Sequence, residues 1–204
     1  VGQMAANCSI VSDAASHEAL IVDPGDDPEY IEEYLGNHNL TPTMIIATHG
    51  HVDHIMGASA IQMAYGIPFA IHKADAFLVK SMAASARYFL PPGPVDAPPV
   101  ISRFVDRTDT IVLGNETLSI MEAPGHTPGS IVLVSEKGKW AIVGDILFAG
   151  GGVGRTDFSY SDATKLKSSL SDVLALPVDT VLYPGHEKET TVGRERRFHA
   201  VEIL

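Results

Sequence analysis

The chain has 204 residues, of which 45% are hydrophobic, enough for one domain over residues 1–204 with a buried core and too many for a disordered chain. Its formal net charge is -11, and so acidic a surface repels phosphate backbones and disfavours nucleic-acid partners. Cys8 has no second cysteine to pair with, which excludes an internal disulfide and the disulfide-stapled secreted scaffolds.

Short apolar runs broken by turn residues alternate with helical patterns along the chain. Residues 9–11 and 19–22 read as two strands, the second ended by Asp23-Pro24-Gly25-Asp26. Residues 28–35 read as a helix, with Pro28 in its first turn, Asp27 as its cap and Gly36 as its stop. A short strand at 44–47, a helix over 54–65 stopped by Gly66, and a strand at 69–72 follow. Residues 73–89 are helical in character. Pro91, Pro92, Pro94, Pro98 and Pro99 then make a stiff loop, a lid, a rim or a plain connection, because proline cannot donate to a ladder. Residues 110–113, 117–122, 131–135 and 140–143 read as consecutive strands, with Lys137-Gly138-Lys139 as a hairpin tip. A helix over 161–174 capped by Ser161, a strand at 180–182 and a helix over 191–204 complete the order. Such an order suggests face-to-face sheets with helices outside. The N-terminal stretch lacks a basic start followed by an apolar run, and no apolar run nears the ~20 residues of a membrane span. The expectation is a soluble, cytoplasmic chain with no membrane partner.

Thr48-His49-Gly50-His51-Val52-Asp53-His54 is the densest chemical signal. In extended backbone His49, His51 and Asp53 point to one side, and His54 follows where a helix begins. Such a turn can aim two pairs of ligands at neighbouring metals, and Gly50 permits tight backbone among crowded rings. Three more candidate ligands stand just beyond apolar runs, where loops gather at a sheet edge: His126 in Pro124-Gly125-His126-Thr127-Pro128-Gly129, Asp145 after Trp140-Ala141-Ile142-Val143-Gly144, and His186 after Tyr183-Pro184-Gly185. His17, His38, His72 and His199 fall outside these motifs and read as structural or exposed. Cys8 reads as a small buried residue rather than a reactive thiol.

The His-x-His-x-Asp-His run, the later Gly-His, the strand-end Gly-Asp and the last Gly-His resemble the metallo-β-lactamase superfamily in order and spacing, from near Asn7 to about His186. The resemblance implies an α/β fold, the four-layered αβ/βα sandwich, with metals at one edge between two sheets. It implies His49, His51 and His126 on a first metal, Asp53, His54 and His186 on a second, and Asp145 bridging both. Residue type alone suits zinc, manganese or iron; two divalent metals are expected, zinc first. Two such metals sharing a water make a hydroxide near neutral pH, so no serine or cysteine nucleophile is needed, and Asp53 and Asp145 are the candidate catalytic residues.

Within the superfamily the chain is similar to small glyoxalase II-like proteins, which implies hydrolysis of thioesters, acyl-glutathione or a similar small molecule. Asp145 stands where many β-lactamases have cysteine, and Gly152-Val153-Gly154-Arg155-Thr156-Asp157-Phe158 resembles a loop shared with persulfide dioxygenases. Arg155 either pairs with Asp157 or reaches a substrate carboxylate. Tyr88 and Phe89 are candidates for an apolar wall. The helical domain with which longer glyoxalase II enzymes grip glutathione has no counterpart, and Lys188, Arg194, Arg196 and Arg197 read as a solvated helix face. The alternative is a mononuclear iron persulfide dioxygenase using His49, His126 and Asp145, for which Pro-Ala-His would be the common form of Pro184-Gly185-His186. A phosphodiesterase or nuclease and a non-catalytic metal-binding protein come behind.

Overall fold

In a computed structural model, residues 1–199 can be described. One sheet holds β1 (Ser9–Ser12), β2 (Glu18–Val22), β3 (Thr41–Ile46), β4 (Phe69–His72) and β5 (Ile101–Val105) in that order. The other holds β6 (Thr110–Leu113), β7 (Glu116–Glu122), β8 (Ile131–Ser135), β9 (Trp140–Gly144), β10 (Val181–Pro184) and β11 (Thr190–Thr191), in the order β11-β10-β9-β8-β7-β6. The helices are α1 (Pro28–Asn37), α2 (Val52–Ile55), α3 (Ala58–Tyr65), α4 (Ala76–Lys80), α5 (Met82–Phe89), α6 (Ala163–Ala175) and α7 (Val192–His199).

Strand alternation sorts the core into three clusters, which are the three interfaces of a four-layered sandwich. Leu20, Val22, Ile46 and Ala70 of the first sheet meet Ile111, Leu118, Ile131 and Leu133 of the second. Their neighbours Ile21, Ile45 and Phe69 turn outward onto Ile31, Leu35, Ile61 and Met82 of the first helical layer. Val132, Val134 and Val143 turn onto Leu166, Leu170 and Val173 of α6. These central strands are covered on both faces, which is why they read as continuous apolar runs rather than alternating ones.

Several local expectations need correction. The helix foreseen over 54–65 is two helices. At Gly57 the backbone N–H donates to Pro24 O (2.9 Å) instead of to Asp53 O four residues back, so the turn after β2 interrupts the ladder. Asp27 stands at the start of α1 in a left-handed conformation and caps nothing; its Oδ2 accepts from Gly2 N–H (2.8 Å). The helix runs past Gly36 to Asn37. Asp162, not Ser161, caps α6, accepting from the N–H groups of Thr164 and Lys165. The Ser161 hydroxyl donates instead to His126 O (2.7 Å). The edge strands β5 and β11 were not foreseen, because a short, half-exposed strand leaves little apolar pattern. The foreseen helix over 191–204 is α7 as far as His199, and its remainder lies outside the described residues. Residues 91–99 form an irregular loop, and no described helix is long and apolar enough to cross a membrane.

Candidate metal centre

The parallel strands β2, β3, β9 and β10 all end at the same edge of the sandwich, and the chemical motifs lie just beyond those ends. His49 follows β3, His51 stands at the N-terminus of α2, and Asp53 and His54 lie within it. Asp145 directly follows β9 and His186 follows β10. The His186 loop is tied to the N-terminal segment: Asn7 Nδ2 donates to Pro184 O (2.9 Å) and Glu187 O (2.7 Å), and Asn7 N–H to Gly185 O.

The structure brings all seven predicted ligands together. His49, His51 and His126 form one group, with His51 Nδ1 lying 3.1 Å from His49 Nε2 and 3.0 Å from His126 Nε2. Asp53, His54 and His186 form another, with His186 Nε2 3.2 Å and His54 Nε2 3.8 Å from Asp53 Oδ2. Asp145 lies between them: Oδ2 is 3.5 Å from His126 Nε2, and Oδ1 is 3.5 Å from His54 Nε2. Ligands of one ion, each on a bond of ~2.0–2.2 Å, sit about 3.4 Å apart in a tetrahedron, so the spacings suit shared cations.

Proton bookkeeping points the same way. His126 Nδ1 donates to Arg155 O (2.8 Å), leaving Nε2 a bare lone pair. Thr48 Oγ1 donates to Asp23 Oδ2 (2.6 Å), so it accepts from His49 Nδ1 (3.1 Å), and His49 Nε2 is bare as well. Both face His51 Nδ1, whose other nitrogen lies 2.8 Å from the Tyr160 hydroxyl. One proton cannot serve three converging nitrogens, but a cation can. His54 Nδ1 donates to Asp23 Oδ2 (3.0 Å), leaving His54 Nε2 and Asp145 Oδ1 buried without a partner among the described residues. The residues present fit a divalent metal.

The electrostatics agree. Burial and the neighbouring imidazoles hold His49 and His51 well below the ordinary histidine range. Burial also works against a charged His54, but Asp145, Asp23 and Asp53 outweigh it and push it up to about 10. For Asp53 burial opposes the charge, while the hydrogen bond from His186 and the surrounding imidazoles hold it below the usual carboxylate range. The site gathers carboxylate oxygens and imidazole nitrogens, and the negative charge that keeps a proton on His54 is charge that a dication would neutralise.

Three supporting residues were missed by sequence reasoning. Asp23, 1% exposed, holds both Thr48 and His54. Tyr160 holds His51. Asp75, fully buried at the end of the short 3-10 turn Lys73–Asp75, accepts from Gly50 N–H (2.8 Å), Gly129 N–H (2.6 Å) and the Thr127 hydroxyl (2.7 Å). It thereby joins the His49–His51 loop of one half to the His126 loop of the other. Asp23 opens the foreseen turn after β2 and could have been suspected; Asp75 carries no sequence signal.

A cavity of about 280 Å³ opens over the cluster, reached by Phe89, Phe148, Val153, Arg155, Phe158 and Tyr160. A larger groove of about 550 Å³ runs past β1, Trp140 and Tyr183 and holds no ligand cluster, so the chemistry belongs to the smaller cavity. Arg155 pairs with Asp157 through Nε (2.9 Å) and NH2 (2.7 Å). Phe89 lines the cavity, whereas Tyr88 is 81% exposed and does not. His17, His38, His72 and His199 lie outside the cluster. Cys8 packs against the core, and burial pushes its thiol up to about 12. A thiol-specific disulfide reagent at pH 8 should therefore leave Cys8 unmodified in the native protein and label it fully in denaturant, since the thiolate is the reactive form. Rapid native labelling would contradict that environment.

A scaffold of two stacked sheets with a histidine–aspartate cluster at one edge defines a metallohydrolase-type protein. The sequence profile of the metallo-β-lactamase superfamily matches residues 1–186. The hydroxyacylglutathione hydrolase GloC of Haemophilus influenzae is 34% identical over 193 residues, 94% of this chain and 90% of that protein. The crystal structure of the B3 metallo-β-lactamase BLEG-1 superposes with a TM-score of 0.88 at 30% identity, covering 97% of this chain and 94% of that one. That of TTHA1623 in a di-iron-bound form also superposes with a TM-score of 0.88 at 30% identity, covering 97% and 96%. The chain belongs to the metallo-β-lactamase superfamily. Within it, the similarity to hydroxyacylglutathione hydrolases supports the small glyoxalase II-like branch.

Proposed function

We propose that this single-domain chain hydrolyses thioesters, acyl-glutathione or similar small molecules, with two divalent cations, zinc first and iron or manganese as alternatives. His49, His51 and His126 would hold one cation, Asp53, His54 and His186 the other, and Asp145 both. The observation that carries the reading is the Asp145 carboxylate, whose two oxygens divide between His126 and His54. Two cations so held supply an acidified water as nucleophile and positive charge to polarise a carbonyl. The chain's own residues do the rest. Asp53 lines the cavity and keeps its charge, so it can orient the attacking group by accepting its hydrogen bond. Thr48, Asp23, Tyr160 and the Arg155 carbonyl lock the imidazoles so that their lone pairs stay aimed inward. Gly185 supports the two-metal arrangement, because a Cβ there would collide with Asp145 Oδ1 and lie 2.6 Å from His54 Cε1, displacing two of the residues that arrangement needs. A small-molecule substrate, no nucleic-acid or membrane partner and a cytoplasmic setting belong to the same reading, for which the acidic charge and the single cysteine speak.

The test is elemental analysis of protein purified without added metal, alongside hydrolysis of a hydroxyacyl-glutathione thioester. Two divalent metals per chain and turnover that collapses in His54→Ala are expected. One iron per chain with oxygen uptake on a persulfide would replace this reading by the dioxygenase.

A further inference from the structure

We infer that the site selects its substrates by an apolar acyl group, aromatic or medium-chain aliphatic, and does not read the charges of the thiol carrier. This rests on the hydrolase reading and narrows its substrate class. The acyl carbon is the atom attacked, so the acyl group must lie against whatever flanks the ligand cluster. What flanks it is aromatic. The Phe158 ring lies 5.2 Å from that of His51 and 6.3 Å from that of His126, is stacked on Tyr160 (5.3 Å, 10°), and meets Phe89 at 6.3 Å. Phe148 and Val153 extend the apolar lining. A surface of this kind gains by burying hydrocarbon and gains nothing from a polar acyl group.

The charges around the cavity argue against a grip on an anionic carrier. Among the described residues Arg155 is the one lysine or arginine lining it; Asp53 and Asp145 belong to the metal centre, which leaves Glu187 as the carboxylate of the outer lining. Both arms of the Arg155 fork bond Asp157, and its guanidinium carbon sits 4.8 Å from the centre of the Phe158 ring. Its charge is already matched, and its plate steadies Phe158 by a cation–π contact. Arg155 is therefore a positioning residue for the aromatic wall, the pairing with Asp157 being the alternative realised over the reach to a substrate carboxylate. Lys188, Arg194, Arg196 and Arg197 do not line the cavity, and Arg196 is engaged with the carbonyls of Leu174 and Leu176. With Asp53 and Asp145 committed to the cations, a tripeptide thiol with two carboxylates and one ammonium would meet Glu187 and, among the described lining residues, no lysine or arginine left unmatched, so it stays in solvent at the mouth.

The test uses the metal-loaded full chain and two series. In the first, hydroxamates sharing one metal-binding head and carrying acetyl, butyryl, hexanoyl or benzoyl groups are titrated by calorimetry. Affinity should rise about 4-fold per methylene, the equivalent of ~0.8 kcal/mol per buried methylene, and Phe158→Ala should flatten the rise. In the second, one acyl group is presented on glutathione and on neutral N-acetylcysteamine; kcat/KM should be nearly equal, and Arg155→Gln should leave their ratio unchanged. A hydroxamate series flat with chain length would overturn the inference. So would a strong preference for the glutathione thioester that Arg155→Gln abolishes. If no thioester is hydrolysed while hydroxamate affinity still climbs, the thioesterase reading fails and the acyl-selective cavity stands.

Discussion

Asp145→Ala should lower thioester hydrolysis by roughly 10²–10³-fold, the scale of losing one preorganised electrostatic contact in a water-poor site. The reason is its position. Asp145 is 9% exposed, and it alone places one oxygen toward His126 and the other toward His54. Removing it should weaken both groups of ligands at once, so metal content should fall below that of the wild type. Differential scanning calorimetry separates this from damage to the fold. A ligand at 100 times its Kd stabilises the native state by about 2.7 kcal/mol, so metal should raise the wild-type Tm strongly and the variant's weakly. The metal-stripped proteins should differ far less. Unchanged metal content and turnover in Asp145→Ala would remove the basis of the two-metal reading.

Asp75→Ala should be the most damaging change outside the ligands themselves. The carboxylate is buried, and burial raises its pKa although Thr127, Gly50 and Gly129 all donate to it. Alanine would strand these three donors in the interior, at about 1–3 kcal/mol for each group left unsatisfied. A loss of roughly 3–5 kcal/mol is expected from breaking a buried charged network, read as a lower urea midpoint at unchanged slope. The functional effect should be separate and local. Gly50 lies between His49 and His51, and Thr127 follows His126, so this side chain braces the three-histidine group across the two halves of the sandwich. Metal affinity should drop by about 10–100-fold, as for loss of a residue that orients ligands. Asp75→Asn keeps one acceptor oxygen and should fall between the two. If Asp75→Ala titrates with metal as the wild type does, the brace has no bearing on the site.

The substrate was harder to read than the chemistry. Relatives at nearly the same similarity include a hydroxyacylglutathione hydrolase and a B3 metallo-β-lactamase, so membership of the superfamily does not discriminate among acyl compounds. Discrimination lies in the walls, and the walls come from Phe89 at the end of α5, from Phe148 and Val153 after β9, and from Phe158 and Tyr160 before α6. Scattered aromatics of this kind look like core residues in a linear reading. Of the pair singled out there, only Phe89 faces the cavity, because consecutive helical residues diverge by a large angle and Tyr88 is carried outward.

The linear sequence was sufficient to single out the seven side chains that cluster and the layered architecture. Few residue types can bind a metal, and the candidates here stand just past apolar runs, so His49, His51, Asp53, His54, His126, Asp145 and His186 could be named one by one. Tertiary structure alone decided which residues hold those ligands. Asp23, Asp75 and Tyr160 act through hydrogen bonds to loops 25 to 109 residues away, and no local pattern marks such partners. The same holds for the break between α2 and α3. Each was settled by which backbone or side-chain group arrived opposite once the sheets had packed, a matter of three-dimensional proximity rather than of spacing along the chain.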